Sequence, residues 1–327
     1  ALIGGIFQMF LGYFLKPIRH MFPPLVTGIV VLMIGVSLLG VGFQYAGGGA
    51  WLLNNKPEVF ANGSHLFLAF TVLIVTVVVH QYSKGFLGAA SILIGMVVGY
   101  LVAIPMGMIQ FGKIASASWF SLPMPLQYGL DFVPGAIILM LFMAVVTTIE
   151  TIGDISATTM GGDNREATDE ELSGGILADG LGTVFASLFN AMPNTSYSQN
   201  AGLVAFTGVI SRHVGTIAGV ILILLGLFPK LGGVIAAMPE SILGGAAIVM
   251  FGLITAAGIK LIAQSEMTKR NLLILGLSLS FGIGMYLKPE FASHVPDLGI
   301  KLSLLLTTGL IPAGILAFVL NAILPKE

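Results

Sequence analysis

The chain has 327 residues, of which 56% are hydrophobic and 9% charged, so it cannot be an ordinary soluble domain, where about a quarter of residues are charged. A net charge of −1 offers no basic patch for a nucleic acid, and the absence of cysteine excludes disulfides, thiolate metal sites and cysteine nucleophiles. What remains is an all-α polytopic membrane protein.

Ala1 opens directly in an apolar run that ends at Lys16, with no initiating Met and no basic leader. Fifteen residues fall short of the roughly 20 needed to span a bilayer. The expectation is that the sequence begins inside a helix and that N-terminal segments are missing. Further apolar segments run over about 23–43, 66–82, 86–110, 133–153, 174–192, 201–211, 213–228, 240–263, 271–287 and 302–324. With the opening run these make about eleven membrane segments, the seventh interrupted. Placed alternately across the membrane, they gather nine basic residues on one side, with all four arginines (Arg19, Arg165, Arg212, Arg270), against five on the other. The positive-inside rule makes the richer side cytoplasmic and puts the C-terminus inside.

The connections are short. Gly47-Gly48-Gly49 and Pro123-Met124-Pro125 read as turns, and Tyr45, Trp51, Trp119 and Tyr128 as interfacial anchors. The longest cytoplasmic connection, Gly161 to Ser173, surrounds Arg165 with five acids and reads as a solvated surface. The five histidines lie near segment ends without metal-ligand spacing, so no metal site is assigned.

Three carboxylates stand apart. Glu150 and Asp154 follow the run Ile137 to Ile149 without a break, and Asp179 lies within the next segment. An ionisable group at such depth needs a partner or a cavity. Glu150 and Asp154 are four apart and share a helical face. With no lysine or arginine at comparable depth, desolvation and mutual repulsion favour a protonated carboxyl, and a proton-carrying site is the natural reading. The plainer reading has Glu150 and Asp154 at a helix end, capping the backbone at Ser156 and Thr158. Asp179 could serve structurally by hydrogen-bonding an unwound Tyr197–Asn200 backbone.

That unwound backbone is the polar island Asn194 to Asn200, where every side chain can hydrogen-bond, between two apolar segments. Ala201 to Gly208 follows as about two helical turns, too short to cross. Unwound chain leading into a half-helix is how transporters build a midplane binding site. Asp154 and Asp179 also admit an enzyme reading, the dyad of an intramembrane aspartyl protease. That chemistry wants Gly-x-Gly-Asp, whereas Thr151-Ile152-Gly153-Asp154 lacks the first glycine.

Gln199-Asn200-Ala201-Gly202 with Thr207-Gly208, Glu150-Thr151-Ile152-Gly153-Asp154 and Ala178-Asp179-Gly180 together resemble the motifs of the nucleobase-ascorbate transporters, the nucleobase:cation symporter family 2. The resemblance extends over essentially the whole chain and implies a fold of fourteen segments in two inverted repeats of seven, divided into core and gate domains, with a short unwound strand at the substrate site. The eleven segments here would be the fourth to fourteenth, residues 1–132 completing the first repeat and 133–327 forming the second. It further implies that Glu150 and Gln199 hold a nucleobase by paired hydrogen bonds and that Tyr197 offers an aromatic face. Ser198 would contribute backbone groups, Asn200 would hold the strand, Asp154 and Asp179 would couple protons or support the site, and Gly202 and Thr207 belong to the signature. Gln at 199 is similar to the xanthine and uric acid branch; uracil or another nucleobase, or ascorbate, is the alternative cargo within the family. No cofactor is implied beyond the proton, and family members resemble one another in forming dimers in the cytoplasmic (inner) membrane.

Overall fold

The computed structural model describes residues 1–14, 23–197, 200, 204, 207–294, 303 and 306–325. Fifteen helices and no strand are assigned among the described residues. In chain order they are α1 (Leu2–Tyr13), α2 (Pro24–Ala46), α3 (Ala50–Asn55), α4 (Gly63–Tyr82), α5 (Phe86–Ala89), α6 (Ser91–Ala103), α7 (Phe111–Ser116), α8 (Pro134–Asp163), α9 (Asp169–Leu188), α10 (Arg212–Gly226), α11 (Pro229–Ala236), α12 (Glu240–Ile262), α13 (Lys269–Leu287), α14 (Pro289–Ser293) and α15 (Leu310–Ile323).

Among the described residues, five helices, α2, α4, α8, α12 and α13, are long and apolar enough to cross a membrane. A sixth span arises if α10 and α11, bent by 81° about Leu227–Phe228, count as one. The α10 helix buries none of its residues, and an apolar helix exposed on every face is at home in lipid.

Local chemistry sets the boundaries. Proline opens α2, α8, α11 and α14, where its missing N–H costs nothing. Asn62 caps α4 by accepting from the His65 N–H at 3.0 Å. After Ala46 the chain turns at Gly48 and Gly49, whose φ of 105° and 93° are costly for any residue with a Cβ. The expected single segment over 86–110 is broken: α5 ends at Ala89, and α6 runs Ser91–Ala103 and stops just before Pro105, whose ring and missing N–H do not let a helix continue.

The acidic connection Gly161 to Ser173 is shorter than expected, because α8 runs on through Asp163 and α9 starts at Asp169. Ser156 and Thr159 return their hydroxyls to the carbonyls of Ile152 and Ile155 at 2.7 and 3.0 Å, which satisfies them within the helix. Asn164, in the left-handed region at φ 52°, ends α8. Thr168 and Glu171 then form a reciprocal capping box that starts α9.

The chain divides into two compact units. One comprises Ala1–Ser37, Met124–Ala201 and Ile254–Glu327; the other comprises Leu38–Pro123 and Gly202–Leu253. The first has a core of Leu25, Val26, Ile29 and Met33 packed with Ile149, Ile274 and Ala313. In the second, Leu68 and Val72 pack with Ala103, Ile242 and Ala246.

Within the first unit α1 lies close against α8 and α9. Its buried residues are Gly4, Gly5, Gln8 and Gly12, a stripe at helical spacing. A Cβ on Gly5 would stand 2.8 Å from the Gly180 carbonyl oxygen, and one on Gly12 would stand 3.1 Å from the Leu177 nitrogen. Small residues of this kind let helix backbones approach where lipid supplies no hydrophobic drive.

Candidate functional site

Glu150 and Asp154 lie in the interior of α8, whose last turns continue to Asp163. Neither therefore sits at a helix end, and capping at Ser156 and Thr158 is not their role. Both are half-buried, and both reach the irregular chain that follows α9. Glu150 Oε2 accepts the Thr195 hydroxyl at 3.2 Å, and Asp154 Oδ2 accepts the Ser196 hydroxyl at 2.6 Å. Two consecutive residues of one segment thus meet two carboxylates one helical turn apart. In a regular strand, successive side chains would point to opposite faces, so the segment is shaped by these contacts rather than by a ladder.

Asp179 is buried on α9 and is the centre of a second set of bonds. Its Oδ2 accepts from the Gln8 side-chain amide at 2.6 Å and from the Thr151 hydroxyl at 3.1 Å. Its Oδ1 accepts from the Asn194 amide at 2.8 Å. Thr183, one turn along α9, donates to Asn194 Oδ1 at 3.1 Å and to the Asn194 carbonyl at 3.2 Å. Asp179 therefore joins α1, α8, α9 and the chain after α9. Its described contact with that chain is to the Asn194 side chain, three residues before Tyr197.

The five described side-chain partners of the three carboxylates, Gln8, Thr151, Asn194, Thr195 and Ser196, are all neutral donors. Donors of this type stabilise a carboxylate without carrying a countercharge.

Tyr197 is 54% exposed, and its carbonyl accepts the Asn200 N–H at 2.9 Å. Asn200 is exposed and helical. Ser198, Gln199 and Gly202 lie outside the described residues. Thr207, in the other unit, is helical and accepts the Val209 N–H at 3.3 Å; Gly208 follows it with φ 67°. No group of three or more His, Asp or Glu able to hold a metal occurs among the described residues.

Asn194, Thr195 and Ser196 belong to the polar island and Thr151 to the motif Glu150 to Asp154, but none of the four was assigned a role of its own from the sequence, and Gln8 was not singled out. One signal was present: Gln8 is the sole amide in the apolar run Ala1 to Leu15.

The family model Xan_ur_permease, described as "Permease family", matches residues 1–291. The chain is 35% identical over 330 residues to the xanthine permease XanP of Escherichia coli (strain K12), covering 100% of this chain and 70% of that protein. It is 36% identical over 324 residues to a xanthine permease of Bacillus subtilis (strain 168), covering 98% and 72%. It is 35% identical over 329 residues to the xanthine permease XanQ of Escherichia coli (strain K12), covering 99% and 69%. Among solved structures, SLC26A9 aligns with a TM-score of 0.60 at 18% identity, over 86% of this chain and 46% of that one. The transmembrane domain of the cyanobacterial bicarbonate transporter BicA aligns with a TM-score of 0.54 at 17% identity, over 98% and 75%. At these identities the two structures speak for the fold alone.

Proposed function

The chain belongs to the nucleobase-ascorbate transporter family, an integral membrane transporter and not an enzyme, and from that premise we propose that it carries a purine nucleobase across the cytoplasmic membrane by proton symport. Xanthine is the first candidate and uric acid the next, in keeping with relatives that are xanthine permeases. Uracil, another nucleobase or ascorbate is the alternative cargo.

The observation that carries the reading is the contact of Thr195 with Glu150. It sets the chain that runs into the Gln199 signature against an acid in the interior of a membrane helix. A carboxylate accepts from the ring N–H groups of a purine, and an amide both donates and accepts, so Glu150 and Gln199 together suit its polar edge. Tyr197 supplies an exposed aromatic face for the flat base. Ser198 contributes backbone groups, Asn200 holds the geometry of this segment, and Gly202 and Thr207 belong to the signature.

In this reading Glu150 or Asp154 carries the coupled proton, and Asp179 supports the site. The protease reading loses its footing, because Asp179 commits both carboxylate oxygens to side chains of the protein and the family transports. The fold would be about eleven of fourteen segments in a seven-plus-seven inverted repeat. Residues 1–132 would complete the first repeat and 133–327 form the second, with the C-terminus cytoplasmic and the protein a homodimer.

Uptake of radiolabelled xanthine, uric acid and uracil by the full-length protein, with and without a protonophore, tests it. Saturable purine uptake that collapses with the proton gradient is expected. Uptake of uracil alone, or uptake indifferent to the protonophore, would overturn the purine or the proton assignment respectively.

A further inference from the structure

We propose that Gln8 is a positioning residue of the substrate site, acting through Asp179 and Asn194 on the segment that carries Thr195 and Ser196; the proposal rests on the purine-carrier reading. Gln8 is 2% exposed, and the other buried residues of α1 are all glycine. Those glycines let α1 approach so closely that a Cβ on Gly180, the neighbour of Asp179, would stand 2.8 Å from the Gly5 carbonyl oxygen. An amide buried at such a contact is costly unless it is hydrogen-bonded. An apolar side chain of the same length would fill the space without that cost. The amide instead meets Asp179 Oδ2 at 2.6 Å.

The geometry of Asp179 gives that bond a use. Its two oxygens are divided, Oδ2 between Gln8 and Thr151 and Oδ1 to Asn194. Gln8 and Thr151 together fix the rotation of the carboxylate, and the rotation fixes where Oδ1 presents itself. Asn194 is held there and, from its other side, by Thr183. The next two residues are Thr195 and Ser196, which meet Glu150 and Asp154. Removing the Gln8 donor leaves Thr151 as the one described donor on Oδ2, frees the carboxylate to turn, and loosens the anchor immediately before the two hydroxyl contacts. The described route from Gln8 to the substrate site runs through Asp179.

The test uses the full-length protein with Gln8→Met, which keeps length and apolar volume but deletes the donor. Ile176→Val, a packing lesion in the same α1–α9 contact that leaves every hydrogen bond in place, is the control. Gln8→Met should raise the xanthine KM about tenfold, the size expected for losing one hydrogen bond to a charged group, with an unchanged amount in the membrane. Ile176→Val should stay near wild type. Deuterium exchange of the peptide covering 191–197 should rise in Gln8→Met and not in Ile176→Val, a readout that needs no substrate. A wild-type KM and wild-type exchange in Gln8→Met would overturn the proposal, and so would equal effects of the two variants. If Gln8→Met does not reach the membrane, Gln8→Asn, whose amide falls one methylene short of Asp179, takes its place with the same expected and overturning results. A wild-type protein with no saturable xanthine uptake would sink the purine reading, while the exchange data would still judge Gln8.

Discussion

Ser196 donates its hydroxyl to Asp154 Oδ2 at 2.6 Å, across 42 residues of sequence. Thr195, its neighbour, does the same for Glu150 at 3.2 Å. One helix and one irregular segment are thus fastened at two successive points, and the fastening groups are the acids expected to handle substrate and proton. A carboxylate that must release one partner to accept another, whether a purine N–H or a proton, needs partners that leave without stranding a charge. Neutral hydroxyls meet that need better than a lysine or arginine would.

Ser196→Ala removes one of these donors and leaves a half-buried carboxylate short of a partner. Hydrogen bonds to charged groups contribute about 1.5–3 kcal/mol, so xanthine uptake should fall about tenfold or more. Ser187→Ala is the comparison, since the described bonds of that hydroxyl are to the carbonyls of Thr183 and Val184 in its own helix, both at 2.9 Å. It should change uptake less than about twofold. Equal effects of the two substitutions in an initial-rate assay would remove Ser196 from the site.

Glu150→Gln should abolish gradient-driven accumulation, whereas Asp163→Asn should leave it intact. Both acids lie on α8, yet Asp163 is 39% exposed and pairs with Arg165 at 3.3 Å. Exposed pairs of that kind contribute about 0–1 kcal/mol. Accumulation of xanthine against its gradient in energised cells distinguishes the two. Accumulation that survives Glu150→Gln would show that the coupled proton rides elsewhere.

The residues themselves explain why part of this was legible and part was not. Glu150, Asp154 and Asp179 announce themselves because charge in an apolar run is rare and expensive, and the polar island announces itself for the same reason. The end of α8 did not, because the apolar run stops near Gly153, yet the helix continues and Ser156 and Thr159 turn their hydroxyls onto it. The Asp179 centre was hidden by distance along the chain. Gln8 and Asp179 are 171 residues apart, and no local periodicity links them. Tyr197 could be named from its neighbours in the signature, whereas Thr195 and Ser196 needed the structure to show which way they face. The break near Ile104 was written in Pro105 and was overridden by the length of the apolar run around it.

The capping box at the start of α9 makes a prediction about acid. The Arg165 guanidinium, bonded to both Glu171 oxygens at 2.8 and 2.6 Å, and then the Thr168 N–H hold the Glu171 carboxyl down from 4.5 to about 2. Because the folded value lies below the ordinary one, ionised Glu171 favours the folded cap at every pH above the ordinary value. That contribution fades as pH falls from 4.5 to about 2. Amides in the first turn of α9 should therefore keep their protection at mildly acidic pH and lose it only in that lower window. Thr168→Ala, which deletes the reciprocal bond and costs about 1 kcal/mol, should expose them at neutral pH. Hydrogen exchange resolved to residues 168–172 measures both.

Two glycines of α9 separate close packing from helix propensity. A Cβ on Gly180 would stand 2.8 Å from the Gly5 carbonyl oxygen and 2.8 Å from the Met9 backbone nitrogen, neither of which can swing aside. A Cβ on Gly174, in the same helix, would meet nothing within 4 Å. Alanine is favoured over glycine within a helix by about 0.5–1 kcal/mol, so Gly174→Ala should raise the thermal midpoint of the purified full-length protein slightly. Gly180→Ala gains the same propensity but forces α1 and α9 apart, at a cost of about 1–3 kcal/mol, so its midpoint should fall. It should also weaken substrate affinity, because separating the two helices pulls Gln8 away from Asp179. A Gly180→Ala protein as stable as Gly174→Ala would mean that α1 does not lie against α9 as described, and the Gln8–Asp179 bond would fall with it.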